Sequence, residues 1–98
     1  MDNEGIKEEE NKLFYELDWE FIEGIAERMA LNKSKYSPFN WTKGIDKEKL
    51  NQALIRHFME IQKGNLSDEQ YLGHYYALAC NSMMIINQIN RDAKGNNP

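Results

Sequence analysis

The stretch DKEKLNQALIRHFMEIQKG, residues 46–64, decides the fold class. Within it Leu50, Ala53, Leu54, His57, Phe58 and Ile61 recur at i, i+3, i+4, i+7, i+8 and i+11, the spacing that lines side chains along one face of an α-helix. Asp46 is placed to cap the first turn, Glu48 follows where the helix dipole favours an anion, and Gly64 is a natural stop. The pattern predicts a helix over 47–63. Beyond it, Ser67 and Gln70 match a capping-box spacing with Asp68 and Glu69 in the first turn, which predicts a second long helix from Asp68 to about Arg91. Before it, Asp18 is a credible cap for a helix over 19–31, with Ile22, Ile25, Ala26 and Met29 on the apolar stripe and Glu20, Glu23, Glu27 and Arg28 facing water.

Residues 32–45 contain Pro38 and Gly44, which break regular structure. The same segment carries Tyr36, Phe39 and Trp41, too much aromatic surface for a loop free in water, so it is expected to pack over the domain. Leu13, Phe14, Tyr15 and Leu17 form an irregular apolar lead-in. No segment alternates with the period of a strand, and no repeat occurs. The expected fold is therefore all-α: a small helical bundle with a long antiparallel helix hairpin, a shorter N-terminal helix and an aromatic-rich connecting loop.

A chain of 98 residues with 41% hydrophobic content supports one core. Residues 1–12 are expected to form a disordered acidic arm, 13–91 a single domain, and 92–98 a disordered polar tail, because the ends lack apolar anchors. Lys and Arg number 12 against 16 Asp and Glu, a net charge of -4, which excludes a general nucleic-acid binder. The one cysteine, Cys80, allows no internal disulfide and suits a reducing compartment. With no secretory signal and no long apolar run, a cytoplasmic, non-membrane protein is expected.

Several residues could carry chemistry. His57 lies in the middle of its helix's apolar stripe, either as a partly buried structural histidine or as a ligand. Arg56 lies off that stripe, either solvated or offering its planar fork of donors to phosphate. Gln70, His74, Ala77, Asn81 and Gln88 form a second stripe, which either lines a pocket or faces water. Asp68 and Glu69 suit a helix start; as ligands with His57 and His74 they would make a set suited to Mg²⁺, Mn²⁺ or Zn²⁺, although the spacing matches no recognised motif. No Gly-rich phosphate loop, nucleophile elbow or His-Glu-x-x-His pair occurs. Cys80 reads as a small packing residue.

The pieces Lys35-Tyr36, Asn40-Trp41, Ala53-Leu54-x-Arg56-His57, Gly64 with Asp68, His74 and Ala79-Cys80-Asn81, taken in order, resemble the small bacteriophage proteins described as dATP/dGTP diphosphohydrolase-like. Their chemistry is compared with that of the all-α, MazG-like nucleotide pyrophosphohydrolases. The resemblance covers roughly Leu17 to Ile89. It implies a phage or prophage origin and divalent-metal cleavage of a deoxynucleoside triphosphate to monophosphate and pyrophosphate. Carried over by position, Asp68, His57 and His74 would hold Mg²⁺ or Mn²⁺ and act in catalysis. Lys35 and Arg56 would hold phosphate, Tyr36 or Trp41 would face the base, and Asn40 and Asn81 would complete the nucleotide site. The chain departs from the pattern at Ser34 and Asn65, where glutamates are common, and at Ala77, where a second histidine is common. These departures thin the ligand set and leave two rivals: a non-catalytic nucleotide-sequestering protein, and a small phage protein that binds a host protein. Apolar residues spread round the last helix also predict a homo-oligomer, most simply a two-fold dimer.

Overall fold

The computed structural model describes residues 11–33 and 40–95. Among these residues there are three α-helices and no strands, so the all-α expectation holds. Helix α1 is Trp19–Leu31, α2 is Lys47–Gln62 and α3 is Gly73–Gly95. Short 3-10 turns at Phe14–Glu16 and Asn40–Lys43 precede α1 and α2. Asp18 and Asp46 cap as expected, accepting from the backbone of Glu20 at 3.0 Å and of Glu48 at 2.9 Å. Helix α2 ends where Gly64 adopts φ +93°. There the amides of Gly64 and Asn65 return to the carbonyls of Ile61 and Glu60, both at 2.9 Å, the paired closure that a left-handed glycine permits.

Helix α3 is the hub: α2 packs along it, α1 packs against it, and the Asn40–Lys43 turn rests on it. The hairpin is antiparallel, because Lys47 at the start of α2 pairs with Asp92 near the end of α3 at 3.1 Å, while His57 meets His74 at the other end. Leu50, Cys80 and Met84 form the buried centre, with Ile25, Met29, Trp41, Ile45 and Ile85 packed on it. Burial raises the Cys80 thiol to about 11, and its Sγ lies 3.6 Å from the Ile25 carbonyl, so it packs rather than reacts.

Three expectations need correction. The inward face of α1 is not Ile22–Ile25–Ala26–Met29: Ile22 and Ala26 are exposed, and Gly24 and Arg28 are buried. Gly24 faces inward because the Tyr76 ring occupies the place a Cβ would take. Helix α3 starts at Gly73, not Asp68. Residues 68–72 instead form an irregular connection in which Glu69 and Leu72 have φ of 60° and 58°, values no helix accepts. The capping box does not close because its members are drawn elsewhere. Ser67 Oγ accepts from the Leu72 amide at 3.2 Å, and Gln70 Nε2 donates to the Gly24 carbonyl at 2.8 Å. Finally, α3 continues to Gly95, so 92–95 are helical rather than tail. Residues 1–10 of the expected arm and 96–98 of the expected tail lie outside the described residues.

Candidate functional site

Arg28 organises the site. At 5% exposure it is almost wholly buried, and it donates from Nη1 to the Asp68 carbonyl at 2.6 Å and from Nη2 to Asp68 Oδ2 at 3.0 Å. A buried guanidinium demands such compensation; the two Nη atoms find it in Asp68, which draws the 66–72 connection onto α1, while Nε is buried without a partner among the described residues. Gly73 completes the turn: a Cβ there would collide with the backbone of Asp68.

This staple holds Asp68 beside two histidines that project from facing helices. His57 Nδ1 and His74 Nδ1 are 2.8 Å apart, and His74 Nδ1 lies 3.9 Å from Asp68 Oδ2. At 2.8 Å one ring donates and the other accepts, so the two Nδ1 atoms share one proton. His57 is held below its ordinary pKa by burial, then by the charges of His74 and Arg28, against the opposing pull of Asp68. For Asp68 burial alone acts upward, but the Arg28 hydrogen bond and the charges of Arg28, His74 and His57 outweigh it and hold the carboxyl below its usual value.

His57, Asp68 and His74 each offer a ligand atom, and these lie within 4.8 Å of one another. Two donors on one ion at about 2.1 Å sit roughly 3–3.5 Å apart, and the separations of 2.8 Å and 3.9 Å bracket that range. The set could hold a divalent ion once the two Nδ1 atoms give up their shared proton and Asp68 Oδ2 closes in. Two imidazoles and one carboxylate suit Mn²⁺ or Zn²⁺ better than Mg²⁺, which favours oxygen ligands.

His57 also lines a cavity of about 430 Å³ with Arg28, Asp46, Lys49, Arg56 and Asn81. With the Arg28 charge paired to Asp68, Lys49 and Arg56 against Asp46 leave the wall attractive to anions. Asn81 is 8% exposed, and its side-chain amide nitrogen has no partner among the described residues, a donor that a bound acceptor would satisfy. Ala77 is buried on the cavity wall, one turn beyond His74.

Of the residues singled out in the sequence, His57, Asp68 and His74 come together, and Arg56 and Asn81 join His57 at the cavity. Trp41 does not: it is half-buried against the core cluster and is not among the cavity's lining residues. Asn40 begins a 3-10 turn, and Lys35 and Tyr36 lie outside the described residues. Asn65 caps α2 through Glu60, donating from Nδ2 to Oε1 at 2.9 Å, and so acts at the helix end. Sequence reasoning missed Arg28 and Lys49. Lys49, Ala53 and Arg56 stand at i, i+4 and i+7 on one side of α2, a signal that was available. No helix among the described residues is long and apolar enough to cross a membrane.

A family model described as dATP/dGTP diphosphohydrolase, N-terminal, matches residues 2–97. A protein of Salmonella phage PMBT28 named dATP/dGTP diphosphohydrolase is 35% identical over 83 residues, which cover 84% of this chain and 28% of the relative. The chain thus spans little more than a quarter of that relative's length. No solved structure matches it. With the ordered pieces of the sequence pattern matched by a family model over nearly the whole chain, the protein belongs to the dATP/dGTP diphosphohydrolase N-terminal family.

Proposed function

We propose that this chain is a phage-type nucleotide-handling protein that takes the triphosphate of a purine deoxynucleotide into the cavity and hydrolyses it to monophosphate and pyrophosphate. One observation carries the reading: His57 belongs both to the His57–Asp68–His74 ligand set and to the wall of the cationic cavity, so phosphate oxygens in the cavity lie beside the ligand set. Lys49 and Arg56 hold the phosphates, and Asn81 donates to an oxygen of the nucleotide. His57, Asp68 and His74 would hold a divalent ion, which would supply positive charge to phosphate oxygens and acidify water. The set has a single carboxylate, already paired with Arg28, so the protein alone would hold an ion weakly and phosphate oxygens would strengthen its hold.

In hydrolysis, water's oxygen bonds to a phosphorus, the phosphoanhydride bond breaks, and pyrophosphate leaves with the bonding pair. The water's proton passes to solvent, because a His57 whose Nδ1 is committed to the ligand set carries its ring proton on Nε2. Arg28 orients Asp68 and does not itself meet the substrate's reacting atoms.

A second reading is sequestration without turnover. Ala77 favours it, because it places a methyl group on the cavity wall where the family pattern commonly has an imidazole. Calorimetric titration of dATP, dGTP and dTTP with Mn²⁺, with pyrophosphate release assayed in parallel, tests both. Arg56→Ala is expected to weaken nucleotide binding by tenfold or more, since a charge-assisted bond contributes about 1.5–3 kcal/mol. Turnover abolished by Asp68→Asn in a folded protein supports hydrolysis, and binding without turnover supports sequestration. Absence of nucleotide binding, with no effect of Arg56→Ala, contradicts both and favours a host-protein partner.

A further inference from the structure

Helix α3 carries no Asp, Glu, Lys or Arg from Gly73 to Asn90, in a chain whose charged content is 29%. Its buried residues Gly73, Ala77, Cys80, Asn81 and Met84 form the face turned to the other two helices. At about 100° per residue the opposite face holds Tyr75, Ala79, Ser82, Ile86 and Ile89, of which Tyr75, Ile86 and Ile89 are 49%, 58% and 50% exposed. A helix face turned to water is ordinarily charged, and this one has no charged position. The core beneath it is also small: among the described residues the buried apolar side chains are Leu50, Ile61, Ala77, Cys80 and Met84, a thin centre for three helices. The outward positions follow one another at steps of 4, 3, 4 and 3, the seam spacing of a coiled coil. Their sizes from Tyr75 to Ile86 run large, small, small, large, a pattern that reads alike in both directions. A two-fold interface requires such self-complementarity.

From this we infer that the outward face of α3 is the seam of a homodimer, in which α3 packs antiparallel on α3 of a second copy with the two-fold axis between Ala79 and Ser82. Ala79 then opposes the partner's Ser82, and Tyr75 opposes the partner's Ile86. The small central side chains let the helix axes approach to about 8 Å, and the large ones fill the ends. Antiparallel alignment also sets the helix dipoles in opposition, whereas a parallel pair would stack Tyr75 on its own copy. Tyr75, Ile86 and Ile89 offer roughly 100 Å² each; with Met83, 36% exposed, and the atoms of Ala79 and Ser82, the patch reaches about 500 Å² per copy. The pair thus buries about 1,000 Å², the area at which specific association begins. A membrane surface fits less well, because interfacial helices border their apolar face with Lys and Arg. Ala77 and Asn81, which line the cationic cavity, lie on the other side of α3, so the cavity of each copy stays open in the dimer.

Analytical ultracentrifugation of the full chain is the test, and a dimer is expected at micromolar concentration. Ser82→Glu puts a charge at the centre of the seam. Because Ser82 is exposed in the single chain, the helical circular dichroism should persist while the dimer's Kd rises at least tenfold. Gln52→Glu adds the same charge at an exposed position of α2 and should change neither. Cysteines read the direction of the seam. Tyr75→Cys and Ile86→Cys combined in one chain should cross-link two copies under mild oxidation, and neither alone should, since each lies about 16 Å along the axis from its own copy. Cys80 is buried and adds no link. A monomeric wild type, which would leave the face to a different protein, overturns the inference. So does a dimer that Ser82→Glu does not weaken, an equal loss in Gln52→Glu, or ready cross-linking by either single cysteine variant.

Discussion

Removing Asp68 strands a buried cation, whereas removing Arg28 leaves a carboxylate that water can reach. This difference makes the Arg28–Asp68 pair a quantitative test. The Arg28 side chain is 6% exposed and that of Asp68 33%. Breaking a wholly buried pair costs about 3–5 kcal/mol. Here the partial exposure of Asp68, and the surviving bond from Nη1 to its backbone carbonyl, lower the expected cost of Asp68→Ala to about 2–3 kcal/mol. Arg28→Met removes the charge and keeps most of the packing, while Asp68 rehydrates, so about 1–2 kcal/mol is expected. In a domain this small 1 kcal/mol moves Tm by about 4–8 °C. Asp68→Ala should therefore melt visibly below Arg28→Met, and the double variant should be no less stable than Asp68→Ala alone. Urea unfolding in EDTA, with the slope checked for constancy, provides the numbers. Arg28→Met costing more than Asp68→Ala, or either costing under about 0.5 kcal/mol, would refute the claim that a buried, compensated guanidinium shapes the 66–72 connection.

Stability should also follow pH in two windows. His57 has a folded pKa below its ordinary 6.5, so between the two values the unfolded chain binds a proton that the fold resists, and metal-free stability should rise as pH climbs through that window. Asp68 sits below its ordinary 3.8, so its contribution is present above that value and lost as pH falls through the folded pKa; a His57→Gln variant with an unchanged slope in the upper window would refute the first assignment. Gly73→Ala should destabilise far more than Gly64→Ala: the former drives a methyl into the Asp68 backbone, the latter meets only the roughly 1 kcal/mol strain of a positive φ. Equal Tm losses would contradict the close approach. Phe21, Phe58, Tyr75, Ile86 and Ile89 remain 41–58% exposed, so a homodimer covering part of this surface is expected by light scattering, and a monomer at micromolar concentration would contradict it.

The helices were legible because their signals are local. Asp18 and Asp46 cap within two residues, and the stripe from Leu50 to Ile61 needs only the helical period. The start of α3 was not legible, because Asp68 and Gln70 are held by Arg28 and Gly24, 40 and 46 residues earlier in the chain. Local propensity favoured a capping box, and tertiary partners outbid it. Arg28 was misplaced because a charge beside Glu27 reads as solvated. The contrary signal was Gly24, costly inside a helix unless another chain segment comes close, which turns the face of Gly24, Ile25 and Arg28 inward. For the site, the residue types of the ligand set were legible in His57, Asp68 and His74, but their convergence required the antiparallel hairpin, and the cavity required Arg28 and Lys49 beside them.

The most direct test of the nucleotide site is paramagnetic broadening of the histidine ring signals by Mn²⁺, with and without a non-hydrolysable dGTP analogue. Both His57 and His74 should broaden, and the nucleotide should lower the Mn²⁺ concentration required by at least tenfold, because phosphate oxygens complete a set with one carboxylate. Asp68→Asn should remove that gain. Broadening that spares both histidines, or a nucleotide gain equally large in Asp68→Asn, would contradict a metal and nucleotide meeting at His57.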